Sequence, residues 1–296
     1  MTEVLAAFDR HRRLLFTVAY QMLGSVADAE DTVQDAWLRW SAADRVDIDD
    51  PKAYLVRIVS RLALDRLGSA HTRRETYVGP WLPEPLVTDT SPDPGDAAEV
   101  AEQVSLALLV VLETLSPLER AVFVLREVFG LPIGEVARAV DRSEAAVRQL
   151  AHRARQHVEA RQPRFDPDRG TQKEVTQRFL EAIAGGDLEA LMAVLSPGVV
   201  LVSDGGGVAN AARRPIEGAD KVARFLLGIA AKGLEIPGLD GRPAEVNGTP
   251  GFAAWVDGVP FMALSPVVGD DRIEQVLVVV NPAKLAGLGT PAAEGK

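Results

Sequence analysis

Apolar residues recur at helical spacing through the first half of the chain and give way to strand-like runs only towards the C-terminus. Leu15, Val18, Ala19 and Met22 trace one helical face that Gly24 ends. Ser25 then caps a second helix carrying Val33, Ala36, Trp37 and Trp40. Asp50-Pro51 starts a third, whose apolar stripe is Tyr54, Leu55, Ile58, Val59 and Leu62. Lys52, Arg57, Arg61, Arg66, Arg73 and Arg74 lie mostly off that stripe. The pattern predicts a compact bundle with one basic helix over residues 1–75.

A second helical pattern, within residues 99–165, carries more chemistry. Ser116-Pro117-Leu118-Glu119 reads as a capping box with proline at the first helical position, and Gly130 stands where a left-handed cap stops that helix. Ile133, Val136, Ala137 and Val140 mark a short second helix, and Asp141-Arg142-Ser143 a tight turn with Ser143 as the next N-cap. In the third helix Val147, Leu150, Ala151, Ala154 and Val158 face inward. Glu144, Arg148, Gln149, His152, Arg153 and Arg155 are left on or beside the outer face. A helix-turn-helix whose last helix presents residues able to hydrogen-bond base edges and phosphates makes sequence-specific DNA the first partner to consider.

Residues 76–98 hold five prolines, several acids and no basic residue, which predicts an extended linker. Its 23 residues reach roughly 75 Å at full extension, about two turns of B-DNA. Beyond Pro163 and Pro167 the pattern predicts helices over 173–184 and 188–195 and a strand over 199–202. Asp204-Gly205-Gly206-Gly207 follows, then a helix over 219–232 and strands near 252–255, 260–264 and 273–280. Helices first and antiparallel strands last predict an α+β domain over 168–296, with a curved sheet over the helices.

The net charge of −10 is unusual for a DNA-binding chain, but its distribution resolves the conflict. Residues 113–165 hold nine basic and seven acidic groups, whereas residues 76–112 hold no basic group and six acids. Between Arg148 and Arg164 five arginines and two histidines oppose one acid, Glu159. Positive charge is therefore focused on the reading helix, and the acidic remainder implies that a larger partner adds binding energy. With no cysteine, disulfide, thiolate-metal and thiol chemistry are excluded, in keeping with a reducing cytoplasm. No apolar run marks a signal peptide or a membrane span.

With these residues laid out, the first 165 resemble an extracytoplasmic-function sigma factor of bacterial RNA polymerase. The segment Asp28-Ala29-Glu30-Asp31-Thr32-Val33-Gln34-Asp35-Ala36-Trp37 resembles that family's polymerase-binding helix, and Asp50-Pro51-Lys52-Ala53-Tyr54-Leu55-Val56-Arg57-Ile58-Val59 its promoter-melting segment. The resemblance implies two all-α domains, sigma regions 2 and 4, that bind core RNA polymerase and promoter DNA. It implies a polymerase interface of Asp28, Glu30, Asp31, Gln34 and Asp35 with Val33, Trp37 and Leu38 as apolar anchors. Downstream DNA would fall to the arginines and Lys52 of the third helix, and the upstream element to Arg148, Gln149, His152 and Arg153. The remainder resembles the SigJ-like subgroup, whose C-terminal domain is a fused SnoaL-like cone. Trp81-Leu82-Pro83-Glu84-Pro85, Asp204-Gly205-Gly206-Gly207 and Asn281-Pro282-Ala283-Lys284-Leu285 carry that likeness. Val208 stands where a basic residue is common and Ala283 where an acid is common. In the subgroup the fused domain is held to regulate the sigma factor in cis, which makes these three motifs a cis-regulatory interface.

SnoaL-like folds also host enzymes and binders, so fold alone does not assign a role. All four histidines and all three tyrosines, Tyr20, Tyr54 and Tyr77, precede residue 160. A His/Asp or Tyr/Asp acid-base pair therefore is not expected within the C-terminal domain, which leaves Asp204 with Glu217 or Asp220. Asp204 to Gly207 lacks the length and the lysine of a phosphate loop. A cavity lined by Phe225, Leu226, Trp255, Phe261 and Met262 is the place to look for a small-molecule ligand; no cofactor or metal is expected. The sequence thus predicts a non-enzymatic, cytoplasmic transcription-initiation subunit. The alternative is a ligand-responsive helix-turn-helix regulator that acts without core polymerase.

Overall fold

The structure is a computed structural model and describes residues 2–43, 48–88, 105–161 and 168–289, with backbone alone for 2–3 and 70–75. The side chains of Arg73 and Arg74, and the linker prolines Pro92 and Pro94, lie outside the described residues. The chain divides into two compact units, Met1–Thr76 with Leu108–Gln162, and Tyr77–Ala107 with Pro163–Lys296.

The first unit is helical. Helix α1 (Thr2–Leu23) ends at Gly24, whose φ of 68° is reached without penalty only by glycine. Ser25 caps α2 (Val26–Ala42) by accepting from the Asp28 N–H at 3.2 Å, and Asp50 caps α3 (Pro51–Glu75) through the Ala53 N–H at 3.1 Å. Leu15, Val18, Met22, Val33, Trp40, Leu55 and Val59 form the common core. Each such aliphatic side chain contributes about 1.5–3 kcal/mol by leaving water. The Trp40 indole meets the other buried-polar requirement by donating to the Val4 carbonyl at 2.9 Å.

Helices α4 (Leu106–Leu112) and α5 (Pro117–Phe123) follow, and α5 runs on as a π turn, Val124–Val128, where an ordinary α-helical end at Gly130 is predicted. The wider turn buries Val124 and Leu125 together and lets the Leu131 N–H return to the Leu125 carbonyl across Gly130, φ 63°. Ser116 and Glu119 complete the capping box in both directions. Helix α6 (Ile133–Val140) closes with Asp141 in the left-handed region, φ 54°, and the Arg142 N–H bonded to the Ala137 carbonyl. Helix α7 (Glu144–Glu159) buries all five residues predicted to face inward. Arg120 is fully buried, ion-paired with Glu113 and donating from Nε to the Gln21 carbonyl at 3.1 Å, which ties α5 to α1. Burial pushes its pKa down to about 9, so it keeps its charge at neutral pH.

The second unit is α+β. Helices α8 (Arg169–Ala184), α9 (Leu188–Val194) and α10 (Ala219–Gly233) pack on a seven-stranded sheet. Its strands are β1 (Val87–Thr88), β2 (Leu195–Asp204), β3 (Ile216–Glu217), β4 (Leu239–Val246), β5 (Thr249–Val256), β6 (Val259–Val268) and β7 (Ile273–Val279). They lie in the order β1-β4-β5-β6-β7-β2-β3, antiparallel except for β2 against β7. Register shifts in β2, β5 and β6 bend the sheet, as bulges do, around a core of Phe179, Leu191, Leu201, Val222, Leu226 and Val276.

Strand β4 is absent from the sequence-based expectation because Gly241 and Pro243 interrupt its alternation. Gly241 is required there: a Cβ would lie 3.2 Å from Cε1 of the Phe252 ring and closer still to its tip. The turns Asn247-Gly248 and Asp257-Gly258 carry positive φ at both positions, the type I′ geometry that joins β4 to β5 and β5 to β6. The residues proposed to line a ligand cavity take different places in the fold. Leu226 belongs to the core with Phe225 and Met262 packed against it, Trp255 is buried with its indole donating to the Gly289 carbonyl, and Phe261 is exposed. After β7, Asn281 caps a short helix α11 (Pro282–Leu285).

Candidate nucleic-acid interface and docked linker

Helix α7 owes its placement to its buried stripe, so its opposite face is set in space by the packing of α5 and α6 beneath it. Glu144, Arg148, Gln149, His152, Arg153 and Arg155 are all exposed there. Ser143 does a structural job first, its hydroxyl capping the Ala146 N–H at 3.3 Å. The basic groups do not hang loose. Arg148 pairs with Glu144 one turn back at 2.7 Å, Arg153 with Glu119 at 3.2 Å, and Arg155 with Glu127 at 2.7 Å.

The basic face of α3 is divided more sharply than its sequence implies. Lys52 is exposed, and Arg57 stacks on the Tyr54 ring at 5.0 Å. Tyr54 packs in turn on Trp40, in line with its place on the apolar stripe. Arg61 donates to the Arg138 and Ala139 carbonyls at 3.2 and 3.4 Å, at the electronegative end of α6. Arg66 turns towards α2, pairing with Asp35 at 2.6 Å and Asp31 at 3.7 Å and reaching the Asp28 carbonyl. Two of the cations expected to face DNA thus meet partners inside this unit.

On α2, Glu30 is exposed and pairs with Arg12 at 2.7 Å, Gln34 is exposed and Leu38 is 58% exposed. Trp37 is half-buried against the edge of Phe8. Val33 corrects the expected anchor set: at 2% exposure it belongs to the core, because it falls on the same helical face as Ala29, Ala36 and Trp40.

The second site joins the linker to the C-terminal sheet. Asp204, at the end of β2, is fully buried and accepts four hydrogen bonds. Oδ1 takes the Tyr77 hydroxyl at 2.6 Å and the Gly206 N–H at 3.0 Å; Oδ2 takes the Leu82 N–H at 2.8 Å and the Lys284 ammonium at 2.6 Å. Lys284 also donates to the Leu82 carbonyl and lies over the rings of Trp81 at 3.9 Å and Tyr77 at 4.9 Å. Asn281 donates from Nδ2 to the Tyr77 oxygen at 2.7 Å while its Oδ1 caps Ala283.

Leu82, Pro83 and Pro85 are buried and Glu84 is partly so. Leu86 then bonds Asn247 in both directions, and β1 extends the sheet beyond β4. Residues 77–88, part of the segment predicted as an extended linker, are extended and docked on the C-terminal sheet. The glycines of the Asp204 motif make room for this. A Cβ on Gly206 would meet Asn281 Cγ at 2.7 Å, one on Gly207 would meet Val78 Cβ at 2.9 Å, and one on Gly205 would meet the Ala209 carbonyl at 2.7 Å. Gly206 and Gly207 also have φ of 62° and 75°.

The inventory argument covers the C-terminal domain alone, and the linker carries a tyrosine, Tyr77, to Asp204 from outside that domain. Burial, reinforced by the Asp204 carboxylate, pushes its hydroxyl well above the usual tyrosine range. Asp204 itself is matched by a lysine and held by four donors. The expected partners Glu217 and Asp220 lie elsewhere, along an open cleft with Lys221 and Arg272. Tyr77, Val78 and Asn247 are the residues that sequence reasoning missed; the Asn247-Gly248 dipeptide was the one legible signal among them.

Among the described residues no helix is long and apolar enough to cross a membrane. Residues 7–73 match Sigma-70 region 2, and residues 105–158 match Sigma-70, region 4. The ECF RNA polymerase sigma factor SigJ of Mycobacterium tuberculosis is 45% identical over 296 aligned residues, covering 96% of this chain and 93% of that one. A second protein of that species, described as a "probable ECF RNA polymerase sigma factor SigI", is 36% identical, covering 95% of this chain and 94% of its own. The crystal structure of M. tuberculosis SigJ superposes with a TM-score of 0.78 at 40% identity, covering 96% of this chain and 98% of that one. The helical unit thus carries sigma regions 2 and 4, and the chain belongs to the extracytoplasmic-function family of RNA polymerase sigma factors.

Proposed function

We propose that this sigma factor joins core RNA polymerase through residues 1–75, reads two promoter elements with α3 and α7, and is regulated in cis by residues 168–296 through the linker over 76–98. The exposed acidic, amide and apolar groups of α2, Glu30, Asp31, Gln34 and Leu38, form the polymerase face, with the partly buried Asp28, Asp35 and Trp37 at its margin. Residues 99–165 supply the reading helix. The observation that carries the cis-regulatory part is the four-donor seat of Asp204, which binds the linker to the C-terminal domain through Tyr77, Leu82 and Lys284.

The same seat argues against catalysis. A general base needs a substrate proton within reach, and Asp204 has both oxygens engaged by the protein's own donors. The protein is read as a non-enzymatic regulator of initiation, acting in the cytoplasm where transcription occurs.

Runoff transcription with purified core enzyme and a promoter library tests this directly. Comigration with core polymerase and promoter-specific transcripts are expected. Duplex binding with neither effect would favour the ligand-responsive regulator instead.

A further inference from the structure

We infer that Glu119, on the scaffold helix α5, is a positioning residue that fixes Arg153 of α7 in a preset orientation for DNA. The inference rests on the reading of α7 as the DNA-contacting helix and extends it to a residue outside that helix. Its basis is the division of work between the two oxygens of one carboxylate. Oε2 of Glu119 accepts from the Ser116 hydroxyl at 2.7 Å and the Ser116 N–H at 3.3 Å, closing the capping box at the start of α5. Oε1 faces Nε of Arg153 at 3.2 Å.

An exposed ion pair normally gains little, because two long side chains lose rotamer freedom to hold one geometry. Here half of that loss is incurred already. Glu119 is locked by its cap and its side chain is only 21% exposed, whereas Arg153 is 63% exposed and reaches over it. The Arg148–Glu144 pair lacks this advantage, since its side chains are 58% and 54% exposed and neither is a capping residue of the scaffold. The Arg153–Glu119 contact is an ion pair at Nε, and no hydrogen bond among the described residues occupies the two Nη groups, the fork that matches a phosphate or the O6 and N7 of guanine.

Other scaffold groups also meet α7, one of them on the face turned away from Arg153. Glu127 of the π turn holds Arg155 at 2.7 Å, and Thr114 meets His157 at 2.8 Å. Glu119 and Thr114 thus meet Arg153 and His157 on one side of α7 and Glu127 meets Arg155 on the other, leaving Gln149 and His152 exposed between Arg148 and Arg153. An arginine fixed before binding loses less entropy on the DNA than a free one, and its direction is set by the protein fold.

The test uses the full chain assembled with core polymerase, binding a labelled promoter duplex and a scrambled duplex at one salt concentration. Glu119→Gln is the informative variant, because glutamine at this position still closes a capping box but removes the charge that holds Arg153. Promoter affinity is expected to fall about tenfold, the size of one lost directed contact, with scrambled-duplex affinity unchanged or raised by loss of a negative charge. In an Arg153→Ala background the same substitution is expected to do nothing, which a general structural role would not produce. Unchanged melting temperature of Glu119→Gln verifies that the cap survives. Promoter affinity equal to or above wild type in Glu119→Gln, with Arg153→Ala still weak, overturns the positioning role and leaves the reading helix intact. No loss in Arg153→Ala overturns the reading at that position and the inference with it.

Discussion

Asp204 illustrates how one buried charge can govern a segment more than a hundred residues away. A carboxylate with no solvent contact requires a countercharge and donors for its lone pairs, and Lys284, Tyr77, Leu82 and Gly206 supply them. Such a pair adds little net stability over an apolar replacement, yet removing one member leaves the other buried and uncompensated. Asp204→Asn is therefore expected to destabilise the docked linker by about 3–5 kcal/mol. Limited proteolysis would show this as faster cleavage within residues 77–88. Adding Lys284→Met to Asp204→Asn removes the uncompensated ammonium and is expected to recover part of the loss, as a double-mutant cycle measures. Equal cleavage rates in Asp204→Asn and wild type would dismiss the charge as the source of docking. Glycine, not charge, is the legible part of this motif in sequence. Its three glycines announce a close approach, but only the folded chain shows that the approaching groups are Asn281 and Val78.

At the level of elements, helix ends are where sequence and structure agree most closely. Ser25, Ser116, Ser143 and Gly130 cap as their local sequence implies, because a cap is decided by atoms within four residues of it. Ser143→Ala is expected to lower stability by about 1 kcal/mol and to loosen the first turn of α7, where Arg148 stands. Thermal melting of the full chain, with hydrogen exchange at the Ala146 amide, measures both. Exchange there no faster than wild type would assign the cap no share in holding the reading helix. The reach of α3 is less legible. Arg61 and Arg66 look identical on the helix, yet one meets the carbonyl end of α6 and the other the acids of α2, since their directions depend on which helix packs beside each. Strand β4 escapes a hydrophobic count for a similar reason. Its Gly241 and Pro243 answer to the Phe252 ring and a place near the sheet edge, not to alternation.

For the molecule as a whole, the docked linker makes the C-terminal domain's influence testable without any ligand. Deleting residues 168–296 is expected to change promoter-specific transcription while core-polymerase binding persists, because the proposed polymerase face on α2 lies wholly within the first 42 residues. Transcription at the wild-type level from the truncated chain would contradict regulation in cis. A synthetic peptide spanning residues 77–88 competes for the same seat, so added in excess to the intact chain it is expected to shift activity in the direction of the deletion. The sequence by itself determined the longer helices and their caps, the inward and outward faces of the helix-turn-helix, and, apart from β1, β3, β4 and α11, the order of helices and strands in the α+β domain. Those depend on spacing of 3.6 or 2 and on contacts a few residues apart. The tertiary structure alone decided that Tyr77 meets Asp204, that Lys284 sits between two linker rings and that Glu119 holds Arg153. Contacts across tens to hundreds of residues follow from packing of whole elements, and no local periodicity encodes which of several similar side chains will end within 3 Å of another.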